Sequence, residues 1–244
     1  VWRVAWRALV RSGWDCVVDP IGSESIFKLV GLGFIDPALN EKARGYKLFL
    51  EIIKWFVLKK GLISYSPAHV GAFLKSSPEI DLPDLQFVFT PASYTEGMIG
   101  KLQNIPGITC GVWQSRPQSR GYVRALSSHI KDAPLIQPNY LKETIDQDVL
   151  IQGVKICRDL LKTSKMKKIS IKETLPGENI KTDSEILNFI KNNGATVYHA
   201  IGSCRMGIDK DAVVDANLKL NGVENLRVAD ASIMPTMPSG NTNA

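Results

Sequence analysis

The residues of this chain best suited to chemistry stand near its C-terminal end. His199 precedes a glycine turn, in Tyr198-His199-Ala200-Ile201-Gly202-Ser203-Cys204-Arg205-Met206-Gly207. A histidine exchanges a proton near neutral pH, so it can serve as a general base; a lone histidine can equally be a packing or surface residue. Asn241, in Ser239-Gly240-Asn241-Thr242-Asn243-Ala244, cannot take a proton. Its amide can donate a hydrogen bond to an oxygen on which negative charge develops, although such a composition also makes an ordinary polar turn. Asp230 and Ala231 follow Leu226-Arg227-Val228-Ala229, which reads as a strand. A strand end that meets the first turn of a helix offers unpaired backbone N–H groups to an anion, and Asp230 can cap that turn at the same time. Cys204 admits a redox reading or that of a buried structural thiol, and the second is adopted.

Other chemistries leave no trace. There is no G-x-S-x-G elbow, no H-E-x-x-H and no P-loop. The four cysteines, Cys16, Cys110, Cys157 and Cys204, never form a C-x-x-C pair, and the three histidines are equally scattered. No metal site is expected, and buried thiols in a reducing compartment are the reading. The 244 residues are 44% hydrophobic and 22% charged, an ordinary globular composition with enough chain for a real core. The net charge of +6 is modest, and its local excess in Lys162-Thr163-Ser164-Lys165-Met166-Lys167-Lys168 reads as a solvated helix end. No nucleic-acid partner is expected. Glu51, Lys54, Lys59 and Lys60 interrupt the most apolar stretch, Leu48 to Ile63, so no membrane span is expected. A cytoplasmic location follows, with membrane association left open. Val1 is not an initiator methionine and no signal peptide is visible, which suggests a start inside a gene.

These residues need elements to position them. A short helix and the strand Asp15–Asp19, ending at Pro20, are expected first, then a connection at Gly31-Leu32-Gly33. Apolar residues at helical spacing predict a helix over 41–59, with Asn40 as its N-cap and Gly61 as a left-handed C-cap. Strand-like runs follow at His69–Leu74, Leu85–Phe89, Thr109–Ser115 and Gly121–Leu126, punctuated by Pro and Gly as in an antiparallel sheet. Helices are expected near 143–163 and 182–192, the second with Thr182 and Glu185 as a capping box. Sheet first and helices later predict an α+β fold, with an antiparallel sheet and helices on one face. Phe87, Phe89 and Trp113 fall on strands and read as core. His69 and His129 read as structural.

The blocks 198–207, Asp230-Ala231-Ser232 and 239–244 resemble the C-terminal end of the glucose–methanol–choline (GMC) flavin oxidoreductases. Arg116-Pro117-Gln118-Ser119-Arg120-Gly121 and Pro134-Leu135-Ile136-Gln137-Pro138-Asn139-Tyr140-Leu141 also resemble family stretches, and the order of the blocks agrees. The likeness runs from about residue 40 to the end, in the style of the bacterial choline and alcohol dehydrogenases. It implies an FAD-dependent oxidation of a primary alcohol, choline-like or alkyl/aryl. His199 would be the base, Asn241 a hydrogen-bond donor beside it, and Asp230, Ala231, Asn241 and Thr242 flavin contacts. One of Phe87, Phe89 and Trp113 would remain as an alternative lining for the alcohol pocket. The implied organisation is a remnant of the FAD-domain edge at 1–36, a substrate-binding domain at 37–194 and a catalytic, flavin-contacting segment at 195–244. The partners implied are a small-molecule alcohol and an N-terminal FAD-binding half, since the family's G-x-G-x-x-G loop is not in these residues. Ser23-Glu24 departs from the family's Asn-Leu-Gln-Asp-His segment, and the chain stops in mid-motif. Two rivals stay open: the family's flavin-containing hydroxynitrile lyases, and a truncated gene product without catalysis.

Overall fold

The computed structural model describes residues 16–18, 23–29, 39–64, 70–94, 101–168 and 172–242. The expected first helix, Gly31-Leu32-Gly33 and His69 lie outside them. The strands are β1 (Cys16–Val18), β2 (Ser23–Leu29), β3 (Val70–Leu74), β4 (Leu85–Thr90), β5 (Ile108–Gln114), β6 (Gly121–Arg124), β7 (Leu135–Gln137) and β8 (Ala195–Thr196). The helices are α1 (Leu39–Lys42), α2 (Gly45–Leu58), α3 (Thr144–Leu161), α4 (Ser164–Lys167) and α5 (Asp183–Asn193). They group into two compact units, one from residues 24–114 and 148–195, the other from 1–23, 115–147 and 196–244. Each unit is drawn from separated stretches, and residues 115–147 group with 196–244.

The first unit holds a five-stranded sheet in the order β3-β4-β5-β2-β8, antiparallel from β3 through to β2. Its centre, β5, is buried along nearly its whole length, as a strand flanked on both sides should be. Phe87 and Leu85 of β4 and Val112 of β5 are fully buried. Each contributes about 1.5–3 kcal/mol by leaving water. Trp113 stands opposite Gln86 and donates its indole N–H to the Gln86 side chain at 2.8 Å, which makes it part of the sheet rather than a free aromatic. The helix α3 lies directly on β4 and β5 at Gly153. A Cβ there would come within 2.8 Å of Val112 Cγ2 and 3.2 Å of Leu85 Cδ2, so only glycine admits this approach. Cys110 of β5 meets Cys157 of α3 in the same core. The contact with Cys110, with burial added, pushes the Cys157 thiol well above its ordinary value. Further out, Arg158 forks onto Glu173, and the same carboxylate accepts the Gly177 N–H. The helix α5 has its expected capping box: Thr182 accepts from Glu185 N–H, and the Glu185 carboxylate accepts from Thr182 N–H.

Two expectations in this unit need correction. Asn40 is not an N-cap. It sits inside α1, almost fully buried, and its amide donates to Ser93 O (2.7 Å) and Gln103 O (2.9 Å) while accepting from Ser93 N–H. Its hydrogen bonds run across the fold instead of along a helix. The N-cap of α2 is Arg44, whose guanidinium reaches the carbonyls of Leu102 and Gln103. The left-handed C-cap of α2 is Lys59 (φ 52°), not Gly61.

The second unit contains the sheet β1-β6-β7, antiparallel throughout. The described residues thus form two sheets where one was expected. Asp146, 2% exposed, organises the loop before β6. Its carboxylate accepts from Gln118 N–H (2.8 Å), from Ser119 N–H (2.7 Å) and from the Ser119 hydroxyl. The strand expected at Leu226–Ala229 does not form. One bridge joins Arg227 to Lys219, flanked by hydrogen bonds from Leu220 N–H to Leu226 O and Val228 N–H to Leu218 O. The pairing is too short to make a ladder. Among the described residues no helix is long and apolar enough to cross a membrane.

Candidate active site

His199, Asp230, Ala231, Asn241 and Thr242 all belong to the second unit. The backbone bends sharply at the histidine. Tyr198 has φ 63° and Gly202 has φ 83°. A left-handed tyrosine costs roughly 1–3 kcal/mol, so surrounding contacts must hold it there. One is the Tyr198 N–H, which donates to Thr196 Oγ1 at 3.0 Å. The tyrosine side chain is 79% exposed, whereas His199 is half-buried.

Two of the sequence blocks run side by side. Cys204 N–H donates to Ser232 O (2.9 Å), and Met206 N–H donates to Ile233 O (2.8 Å). Cys204, Val213, Val214 and Val228 form a small apolar core with Met206, Leu220 and Ile233 packed against it. Burial pushes the Cys204 thiol up from its ordinary value, which suits a structural thiol and not a nucleophile. Beside it, Arg205 grips Asp209 through both guanidinium nitrogens (2.7 and 2.9 Å) and holds that carboxyl at about 2.

Asp230 is the N-cap of a 3-10 turn, Ala231–Ile233. Its Oδ1 accepts the Ser232 N–H at 2.9 Å and the Ser232 hydroxyl. The carboxylate is therefore turned back onto its own turn, and Ala231 begins that turn. The terminal block closes on the histidine: Thr242 Oγ1 lies 3.1 Å from His199 Nδ1. Thr242 was expected only as a flavin contact; its side-chain contact to His199 is an addition. Asn241, next to it, is exposed.

Two residues that sequence reasoning did not single out support this arrangement. Arg116 Nε donates to Ser239 Oγ at 2.8 Å, tying the loop before β6 to the terminal block. Asp146 fixes the same loop through Gln118 and Ser119. The Arg-Pro-x-Ser-Arg-Gly stretch was visible in the sequence, but nothing in it named Asp146 as its acceptor. His129 is exposed and lies 3.5 Å from Asp132. Among the described residues no group of three or more His, Cys, Asp or Glu is placed to hold a metal.

The comparisons with known proteins fall on these same segments. Residues 117–244, more than half the chain, match the family described as GMC oxidoreductase. Over 193 residues the chain is 40% identical to the alcohol dehydrogenase [acceptor] of Pseudomonas putida, covering 79% of this chain and 35% of that protein. It is 34% identical to the oxygen-dependent choline dehydrogenase of Vibrio vulnificus, covering 84% of this chain and 37% of the relative. The chain thus spans about a third of the length of these curated relatives. Among solved structures, an FAD-dependent oxidoreductase from Chaetomium thermophilum superposes with a TM-score of 0.78 at 17% identity, over 93% of this chain and 45% of that one. With the match covering the histidine block, the Asp-Ala-Ser turn and the terminal block together, the chain belongs to the GMC oxidoreductase family.

Proposed function

We propose that this chain is the substrate-binding and catalytic part of an FAD-dependent enzyme that oxidises the CH–OH group of a primary alcohol. The observation that carries the reading is the contact between His199 Nδ1 and Oγ1 of Thr242, the residue that follows Asn241. With Nδ1–H donating to Thr242, His199 keeps the Nε2 lone pair free to take the hydroxyl proton of the alcohol. The Asn241 amide donates to the same oxygen as negative charge builds on it. Thr242 holds the orientation of the ring, and its hydroxyl can accept from the Nδ1–H that this role requires.

The residues present suit a flavin. The imidazole, the Asn241 amide and the Thr242 hydroxyl are hydrogen-bonding groups, and the Asp230 carboxylate is engaged by Ser232. Asp230 and Ala231, with Asn241 and Thr242, would hold the flavin. FAD supplies the hydride acceptor that no side chain can provide. The stretch 37–194 is proposed to receive the alcohol, and 1–36 to be an edge of the flavin domain.

The test uses the protein that joins this chain to its FAD-binding half, given primary alcohols and a dye acceptor. Alcohol-dependent dye reduction is expected. Cyanohydrin cleavage without dye reduction, or neither activity in flavin-loaded protein, overturns the reading. In that protein Asn241→Ala should lower turnover roughly tenfold to a thousandfold, through the loss of one donor to the developing alkoxide. Steady-state kinetics with unchanged flavin content would check it. Residues 1–244 alone are expected to bind well under one equivalent of FAD, because they contain no G-x-G-x-x-G loop for the pyrophosphate. The flavin absorbance of the purified chain measures this directly.

A further inference from the structure

We propose that the outward face of α2 is a membrane-docking surface that lies in the head-group layer of an anionic lipid bilayer. The helix presents the wrong side to solvent for a globular protein. Its half-buried residues are Leu48, Glu51, Ile52 and Trp55, on the side turned away from the exposed apolar residues. Tyr46, Phe49, Leu50, Ile53, Phe56 and Val57 are exposed by 43% to 73%. At 100° per residue these six fill one uninterrupted arc of about 120°. Exposed aromatic and aliphatic side chains on this scale mark a surface that something covers.

The charges around the arc say what covers it. Lys47 and Lys54 border it along one edge, and Lys59 and Lys60 follow its C-terminal end. Lys59 Nζ lies 4.5 Å from the Trp55 ring and 5.7 Å from the Phe56 ring, a cation beside two aromatic side chains. The only acid in the helix, Glu51, is half-buried and faces away from the arc. It accepts the Leu62 N–H at 2.7 Å and lies 3.5 Å from Lys54. An apolar face with a basic border and no acid among its exposed residues complements phosphate-bearing lipid: the rings enter the acyl boundary and the lysines reach the head groups. A second copy would bring one set of lysines against another. At about 21 Å the helix is too short to span a bilayer and long enough to lie along its surface.

The test is flotation of the complete, flavin-loaded protein with vesicles of phosphatidylglycerol and phosphatidylcholine, against vesicles of phosphatidylcholine alone. Binding is expected to the anionic vesicles, with at least about a fivefold loss in high salt, where surface charges are screened. The paired changes Phe49→Ser with Phe56→Ser, and separately Lys47→Glu with Lys60→Glu, should each reduce the bound fraction by a similar factor. The charge pair should leave the melting temperature and dye reduction in free solution unchanged. Absence of flotation, or equal binding to both vesicle types, overturns the proposal. So does a Phe49/Phe56 variant that unfolds while the charge pair binds like the wild type, because the face is then covered from within the protein. A change of oligomeric state without vesicle binding assigns the face to a second copy and overturns it too.

Discussion

Replacing His199 by alanine, in the protein that includes the FAD-binding half, is expected to lower turnover by about a hundredfold or more. Flavin content should stay as in the wild type, because the residues proposed to hold the cofactor are Asp230, Ala231, Asn241 and Thr242 and not the histidine. The loss should fall mainly on turnover, since a base acts on the proton that leaves during the reaction. The orientation of the His199 imidazole rests on Thr242, 43 residues further along the chain. A His199→Ala enzyme with normal turnover, or one less impaired than Asn241→Ala, would reverse the roles assigned to these two residues.

The second large effect concerns stability. Gly121 opens β6, opposite Val18 of β1, and the carbonyls of Gln137 and Pro138 press against the place where its side chain would stand. A Cβ would lie 2.5 Å from Pro138 O and 2.7 Å from Pro138 C. Both are backbone atoms, which cannot rotate away as a side chain can. Gly121→Ala is therefore expected to cost about 3 kcal/mol or more, as overpacking against a rigid neighbour. That corresponds to a fall of roughly 6–12 °C in the melting temperature. Gly240→Ala serves as the control: a Cβ there meets nothing within 4 Å, and the melt should move by less than about 1 kcal/mol in stability terms. If the two variants melt alike, the close approach of the β6 and β7 segments is not what demands glycine.

Local signals were legible in this sequence and long-range ones were not. Thr182 and Glu185 stand three residues apart, so the capping box that starts α5 could be read without knowing the fold. The strands β4 and β5 could be read as apolar runs punctuated by Pro and Gly. Asn40 shows the limit. Its chemistry suits an N-cap, but its partners Ser93 and Gln103 are more than fifty residues away, and they decide its role. The strand β2 was missed for the same reason, since Ser23–Leu29 becomes a strand through pairing with β5. At Leu226–Ala229 the opposite happened: a good local pattern found too short a partner and made a single bridge. The candidate site was visible as blocks of residues in order. The contacts that join them, from His199 to Thr242 and from Arg116 to Ser239, came only with the structure.

The way the second unit is drawn from separated stretches of chain has a consequence for biosynthesis. Arg116 waits for Ser239, 123 residues later, before its hydrogen bond can form, and His199 waits for Thr242. A ribosome adding about 5–20 residues per second leaves the loop at 116–120 without its terminal partner for roughly 6–25 seconds. During that interval the first unit has emerged up to residue 195 and can pack its five-stranded sheet and α3. His199, the proposed base, would therefore acquire its contact with Thr242 only after residue 242 has emerged, and a nascent chain stalled before residue 239 would carry the motif without the proposed site.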